Sequence, residues 1–213
     1  MKKKAYIFDL DGTLLDSMKI GWQRVLLGYL DEQGVSYPSD IIKRVVALGL
    51  KGVAKYYKEN LQVGGSEEEV YSAIIEMMRE QYATVIPAKG NVETLLKSLK
   101  GDGASLNVLT AGIHPLFDPC LKRLGLDKYF DNIWSTEEFA YTKADPALYK
   151  EVARILGFAS EDCVMVDDSI TALRPAKEAG FATVGVYDEV SKDYERDMRA
   201  LCDLYIYDFN ELL

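Results

Sequence analysis

The chain has 213 residues, 48% hydrophobic and 28% charged, which fits a globular domain, with or without an insertion, and excludes a disordered chain. Its 34 acidic residues outnumber 25 basic ones, and the net charge of -9 argues against nucleic acid as a main ligand, because phosphate-backbone contacts need clustered Lys and Arg. A small phosphate held by local donors and a metal stays open.

Lys2-Lys3-Lys4 ahead of an apolar run resembles the start of a leader, but the run is short and Asp9 interrupts it. Residues 5–9 read as a buried strand running into Asp9 and Asp11, two carboxylates one residue apart. Side chains alternate along a strand, so the two would leave the same face. Like charges held that close repel. A cation between them, or a split between nucleophile and acid, would explain the pair. D-x-D-G is also a common turn sequence. Gly12 and Thr13 then break the strand.

From residue 18 to 30 the pattern turns helical, with Ile20, Val25, Leu26, Tyr29 and Leu30 in one stripe. Gly34 and Pro38 close that unit. Further helices are predicted over 40–47, 51–60 and 66–83. Ser66, followed by Glu67, Glu68 and Glu69, supplies an N-cap, acids in the first turn and capping-box spacing. No strand is predicted between 18 and 83, so the block reads as an inserted, all-helical subdomain.

After Pro87 the register changes. A helix over 91–100 carries Val92, Leu95, Leu96 and Leu99 on one side. A strand over 105–109 stops at Thr110-Ala111-Gly112, and a helix over 115–124 ends at Gly125. Residues 132–134 form a short strand. Asp145 and Pro146 suit the N-cap and first position of a helix that buries Leu148, Val152, Ile155 and Leu156. Residues 163–166 form a strand ending at Asp167-Asp168-Ser169. Residues 177–179 are helical, 181–186 form a strand and 205–207 add an edge strand. Pro175 removes a backbone donor, so the helix after Asp168 should start late or kink.

Strands alternating with helices predict an α/β fold, a doubly wound parallel sheet of Rossmann-like type. Ligands bind such sheets beyond the carboxyl ends of the strands. Those ends carry Asp9 and Asp11, then Thr110, then Asp167 and Asp168, with Lys143 in the loop before a helix. Singly, each has an ordinary reading: a strand-end hydroxyl, a solvated lysine, a helix cap. His114, the only histidine, reads as a helix-start residue, and no zinc site built on several histidines is possible. Cys120, Cys163 and Cys202 show no C-x-x-C spacing and read as reduced thiols of a cytoplasmic protein. No apolar stretch is long enough to span a bilayer.

In this order, Phe8-Asp9-Leu10-Asp11-Gly12-Thr13, Val108-Leu109-Thr110, Lys143-Ala144-Asp145-Pro146 and Val166-Asp167-Asp168-Ser169 resemble the motifs of the haloacid dehalogenase superfamily, in its phosphatase and β-phosphoglucomutase-like branch. The resemblance covers nearly the whole chain. It implies a catalytic core of residues 1–15 and 87–213 and a helical cap of residues 16–86. It implies that Asp9 attacks phosphorus and that Asp11 serves as general acid and then base, its backbone carbonyl also binding metal. Asp168, with Asp167, would complete a Mg2+ site with Asp9. Thr110, Ala111 and Lys143 would hold the phosphoryl group.

The stretch Leu48-Gly49-Leu50-Lys51-Gly52-Val53-Ala54-Lys55 resembles the specificity segment of β-phosphoglucomutase-like members, which implies substrate contacts for Lys51 and Lys55. A turn and a solvated helix start is the plainer alternative. Ala144 stands where proline is frequent, and Ala172 where a further acid is, a loss that the double acid Asp167-Asp168 would cover. The activity implied is magnesium-dependent hydrolysis of a small phosphorylated metabolite, such as a sugar phosphate or phosphoglycolate. Two alternatives remain: a β-phosphoglucomutase-like phosphotransferase, and a non-enzymatic metabolite- or partner-binding protein on the same fold. Neither nucleic acid nor a membrane is an expected partner.

Overall fold

The computed structural model describes residues 3–213; Lys2, part of the basic start weighed as a leader, lies outside the described residues. Contacts divide the chain into two units, one of the described residues up to Asp16 with Pro87–Leu213, the other of Ser17–Ile86. No helix is long and apolar enough to cross a membrane among the described residues.

The first unit is built on six parallel strands: β1 (Ala5–Phe8), β2 (Ser105–Thr110), β3 (Asn132–Ser135), β4 (Cys163–Asp167), β5 (Ala182–Val186) and β6 (Leu204–Ile206). Their order is β3-β2-β1-β4-β5-β6. It reverses between β1 and β4, the kind of switch point where doubly wound sheets open a crevice. β1 and β4 are buried along their whole length, as strands covered on both faces must be. Phe8 is level with Val108 of β2 and Val166 of β4, so Asp9, Thr110 and Asp167 emerge at the same end of the sheet.

The α-helices of the second unit are α1 (Arg24–Glu32), α2 (Ile41–Val45), α3 (Gly49–Leu61) and α4 (Glu67–Thr84). Those of the first are α5 (Val92–Gly101), α6 (His114–Leu124), α7 (Pro146–Leu156), α8 (Ile170–Glu178) and α9 (Glu195–Leu201). Ile7, Leu109 and Met165 pack in one cluster with Leu148, Tyr149 and Val152 of α7 and Leu173 and Ala176 of α8. Each fully buried large apolar side chain there contributes about 1.5–3 kcal/mol. Alternation turns Phe8 to the opposite face, where it meets Phe130 edge-on at 6.4 Å.

In the second unit Tyr29 and Tyr57 stack with centroids 6.3 Å apart, and the Tyr57 hydroxyl donates to the Leu26 carbonyl at 3.0 Å. α4 opens with the expected capping box: Glu69 N–H donates to Ser66 Oγ at 3.2 Å and Ser66 N–H to Glu69 Oε2 at 2.7 Å.

Ile155, expected on the buried face of its helix, is exposed, and two further local expectations need correction. The pattern over 18–30 predicts one helix, yet its first turn, Met18–Gln23, is a π-helix. Gly21 lies so close to Ile86 that a Cβ there would come 2.7 Å from Ile86 Cδ1, and the turn widens at this contact. Second, α8 begins at Ile170 and runs through Pro175, so no late start occurs. Burying Ala172, Leu173 and Ala176 offsets the one backbone donor that Pro175 lacks.

Candidate active site

β1 ends at Phe8, and the Asp9 N–H still donates to the Val166 carbonyl at 2.9 Å. The chain then turns. Leu15 N–H donates to the Leu10 carbonyl at 2.8 Å and Gly12 N–H to the Leu15 carbonyl at 3.0 Å. Asp11 sits in this turn, bridged to Leu15, so the shared strand face predicted for Asp9 and Asp11 does not form. Gly12 has φ +81°, and a Cβ there would come 2.5 Å from Asp168 Oδ2. Only glycine meets both conditions. Thr13 then locks Asp168: its hydroxyl donates to Asp168 Oδ1 at 3.1 Å and accepts the Asp168 N–H at 3.0 Å.

Carboxylate oxygens of Asp9, Asp167 and Asp168 lie within 4.8 Å of one another, and all three residues are buried. The Asp11 carboxylate is not part of this group. Lys143 Nζ donates to Asp9 Oδ1 at 2.5 Å and to Asp167 Oδ2 at 2.8 Å. Ser169 N–H donates to Asp167 Oδ1 at 2.8 Å. Burial alone would lower the pKa of Lys143, but Asp167 and Asp9 outweigh it and hold the ammonium above its usual range. Burial pushes Asp167 up to about 6 against the pull of Lys143. Burial, reinforced by the charges of Asp167 and Asp9, holds Asp168 well above the ordinary carboxylate range.

One ammonium among three buried carboxylates leaves negative charge uncompensated. The donors are all oxygen, lie in close mutual reach and are walled by Gly12. That donor set fits a hard divalent cation.

Thr110 ends β2 and is buried. Its Oγ1 accepts the Gly112 N–H at 3.0 Å, which leaves the hydroxyl hydrogen for another acceptor. A Cβ on Gly112 would lie 3.3 Å from Thr110 Oγ1 and 3.6 Å from Asp11 Oδ2. The Thr110 hydroxyl and the Asp11 carboxylate therefore flank the same piece of backbone, with Ala111 exposed beside it.

A family model described as haloacid dehalogenase-like hydrolase matches residues 6–186. The chain belongs to this family. It is 26% identical over 184 residues to the phosphorylated carbohydrates phosphatase of Thermotoga maritima, covering 85% of this chain and 83% of that one. It is 27% identical over 222 aligned positions to the phosphoglycolate phosphatase of Colwellia psychrerythraea, covering 100% and 96%. CbbY from Rhodobacter sphaeroides, solved in complex with phosphate, has the same fold: TM-score 0.83 at 22% identity, over 99% of this chain and 96% of that one. The family and the doubly wound fold expected from the four motifs are borne out.

Three supports of this candidate site had no role in the sequence reading. Thr13 was legible as a strand breaker and as the last residue of the first motif, but not as the partner of Asp168. The Tyr149 hydroxyl shares its hydrogen between the Lys143 carbonyl at 2.9 Å and the Ala172 carbonyl at 2.8 Å, bracing the lysine loop against α8. That brace reaches the backbone of the residue where a further acid was expected. Lys89 Nζ pairs with buried Asp188 at 3.0 Å and donates to the Tyr187 carbonyl at 2.8 Å, and both charges act on Asp168. No local pattern announced that pair. Lys51 and Lys55 lie exposed on α3 of the second unit, Lys55 Nζ 3.9 Å from Glu59.

Proposed function

We propose that this family member is a cytoplasmic, magnesium-dependent phosphatase that hydrolyses a small phosphorylated metabolite through an aspartyl-phosphate. The observation that carries the reading is the meeting of buried Asp9, Asp167 and Asp168 with the half-buried Lys143 at the carboxyl ends of β1 and β4. The phosphatases named among the relatives act on phosphorylated carbohydrates and phosphoglycolate, which supports a substrate of that size and charge. Three free cysteines suit a reducing compartment.

Asp9 attacks phosphorus, forming a carboxylate–phosphorus bond as the ester bond breaks. Asp11 protonates the departing oxygen. It then takes a proton from water, which attacks the phosphoryl group, releases inorganic phosphate and restores Asp9. The Thr110 hydroxyl donates to a phosphoryl oxygen beside Ala111, and Lys143 balances the charge on the transferred group while orienting Asp9 and Asp167. Asp9, Asp167, Asp168 and the Asp11 carbonyl would hold Mg2+, which when bound lets a carboxylate approach an anionic phosphoryl group. Ser17–Ile86 serves as the cap, and Lys51 and Lys55 contact the substrate; their exposure on a helical insertion supports this role.

The test is a panel of phosphate monoesters assayed with Mg2+ for wild type and Asp9→Asn. Wild type releases inorganic phosphate, and the variant loses turnover on the order of 10^4-fold. Turnover unchanged by the substitution sinks the mechanism. Interconversion of sugar phosphates without phosphate release would put a substrate hydroxyl in place of water.

A further inference from the structure

His114 opens α6 four residues after Thr110 and takes no part in the chemistry above. Its Nδ1 lies 3.1 and 3.2 Å from the two carboxylate oxygens of Asp118, one turn along the same helix. Its Nε2 lies 3.0 Å from Glu138 Oε1, in the turn after β3. Among the described residues these two carboxylates are the charged groups facing the ring, and Phe117 packs beside it with centroids 4.7 Å apart. A neutral imidazole has one N–H, so a lone pair would confront one of the two carboxylates. Only the imidazolium donates to both. A cation at a helix N-terminus is opposed by the macrodipole, so the carboxylates are what retain the charge.

The same carboxylate ties back to Thr110. Glu138 Oε1 also accepts the Ser135 N–H at 2.6 Å, and Ser135 Oγ donates to the Gly112 carbonyl at 2.7 Å. Gly112 N–H in turn donates to Thr110 Oγ1. The loop from Thr110 to His114 is thus fastened at two points, the Gly112 carbonyl to the last residue of β3 and the His114 ring to the turn after it.

We propose that His114 is a positioning residue: as an imidazolium it clasps the Thr110 loop to Glu138, and so sets how firmly the site holds a phosphoryl group as pH changes. The inference rests on the phosphate-holding role proposed for Thr110. The hydrogen bond to Glu138, more than that to Asp118, raises the His114 pKa above its ordinary value, although burial opposes it. A raised folded-state pKa means that the clasp is complete below the unfolded value and is lost as pH climbs through the folded one. Phosphate binding therefore weakens over that interval.

The sole histidine gives a single imidazole titration by NMR. Inorganic phosphate affinity is measured by calorimetry, with Mg2+ present, for wild type, His114→Gln and Glu138→Gln across about pH 6 to 9, the range that brackets imidazole titration. Taking the variant-to-wild-type ratio at each pH cancels the titration of phosphate itself. The expected result is a loss of about three-fold for both variants at low pH, the size of an exposed ion pair, shrinking to none above the His114 midpoint. Glu138→Gln also lowers that midpoint, and it keeps the ring in place should His114→Gln fail to fold. A ratio that stays constant with pH, or a wild-type midpoint at or below about 6.5, overturns the clasp. No turnover of any ester by wild type, with the pH-dependent ratio intact, overturns the phosphatase reading and leaves the clasp standing.

Discussion

Both units carry local, exposed ion pairs on their helices, but among the described residues a buried charge cluster is found in the first. In the first, Lys143 reaches Asp9 across 134 positions of sequence, the lysine half-buried and the carboxylate buried at the end of the sheet. In the second, ion pairs are local and exposed: Arg44 with Asp40 at 2.9 Å, and Lys55 with Glu59 at 3.9 Å, each one helical turn apart. The core of the second unit is held by rings instead, with Tyr29 stacked on Tyr57. Buried charges that support one another cannot be changed singly without leaving a bare ion in a low-dielectric interior. Exposed helical charges can change freely, because water already solvates them. The first arrangement suits a fixed reaction, and the second suits the cap role proposed for Ser17–Ile86.

Beyond the loss of turnover expected for Asp9→Asn, the largest effect that tests this contrast is on stability. Lys143→Ala leaves Asp9 and Asp167 buried without their shared counterion. In chelator it should lower the unfolding free energy by about 3–5 kcal/mol, read from urea denaturation. Lys55→Ala should leave the denaturation curve where it is and raise KM on the preferred ester. A Lys143→Ala protein as stable as wild type would erase the distinction between the units, as would a Lys55→Ala protein that unfolds early.

Metal linkage comes next in size. Adding Mg2+ to chelator-treated protein should stabilise it by about 2.7 kcal/mol at a concentration 100 times Kd. Asp168→Asn should abolish most of that gain, because it replaces a carboxylate held by Thr13 and facing Gly12 with a neutral amide. Equal thermal shifts in wild type and Asp168→Asn would place the ion elsewhere.

The contrast also explains what the sequence made legible. Tyr6-Ile7-Phe8 and Val164-Met165-Val166 are unbroken apolar runs because β1 and β4 are covered on both faces, so the sheet was readable. Asp145 before Pro146, and Ser66 before Glu69, mark helix starts through contacts two or three residues long. α8 was misread because Pro175 is a strong local signal and the packing of Leu173 against the sheet is not local. In the site, the acids, Thr110 and Lys143 stood out by their order at strand ends. Tyr149 and the Lys89–Asp188 pair did not, and Thr13 stood in the first motif without its bond to Asp168 being readable. Thr13 and Asp168 are 155 positions apart, and a hydrogen bond over that distance leaves no periodicity to detect.

The smallest effect tests the second unit alone. Tyr57 is fully buried, and its hydroxyl is tied to the Leu26 carbonyl of α1. Tyr57→Phe keeps the ring stacked on Tyr29 and deletes only that bond. It should cost about 1 kcal/mol of unfolding free energy, the net worth of one neutral hydrogen bond. Turnover should not change, since the substitution touches none of the buried charges of the first unit. Hydrogen exchange should show the loss confined to α1 and α3. A fall in kcat with stability intact would mean that the ring core of the insertion bears on the reaction.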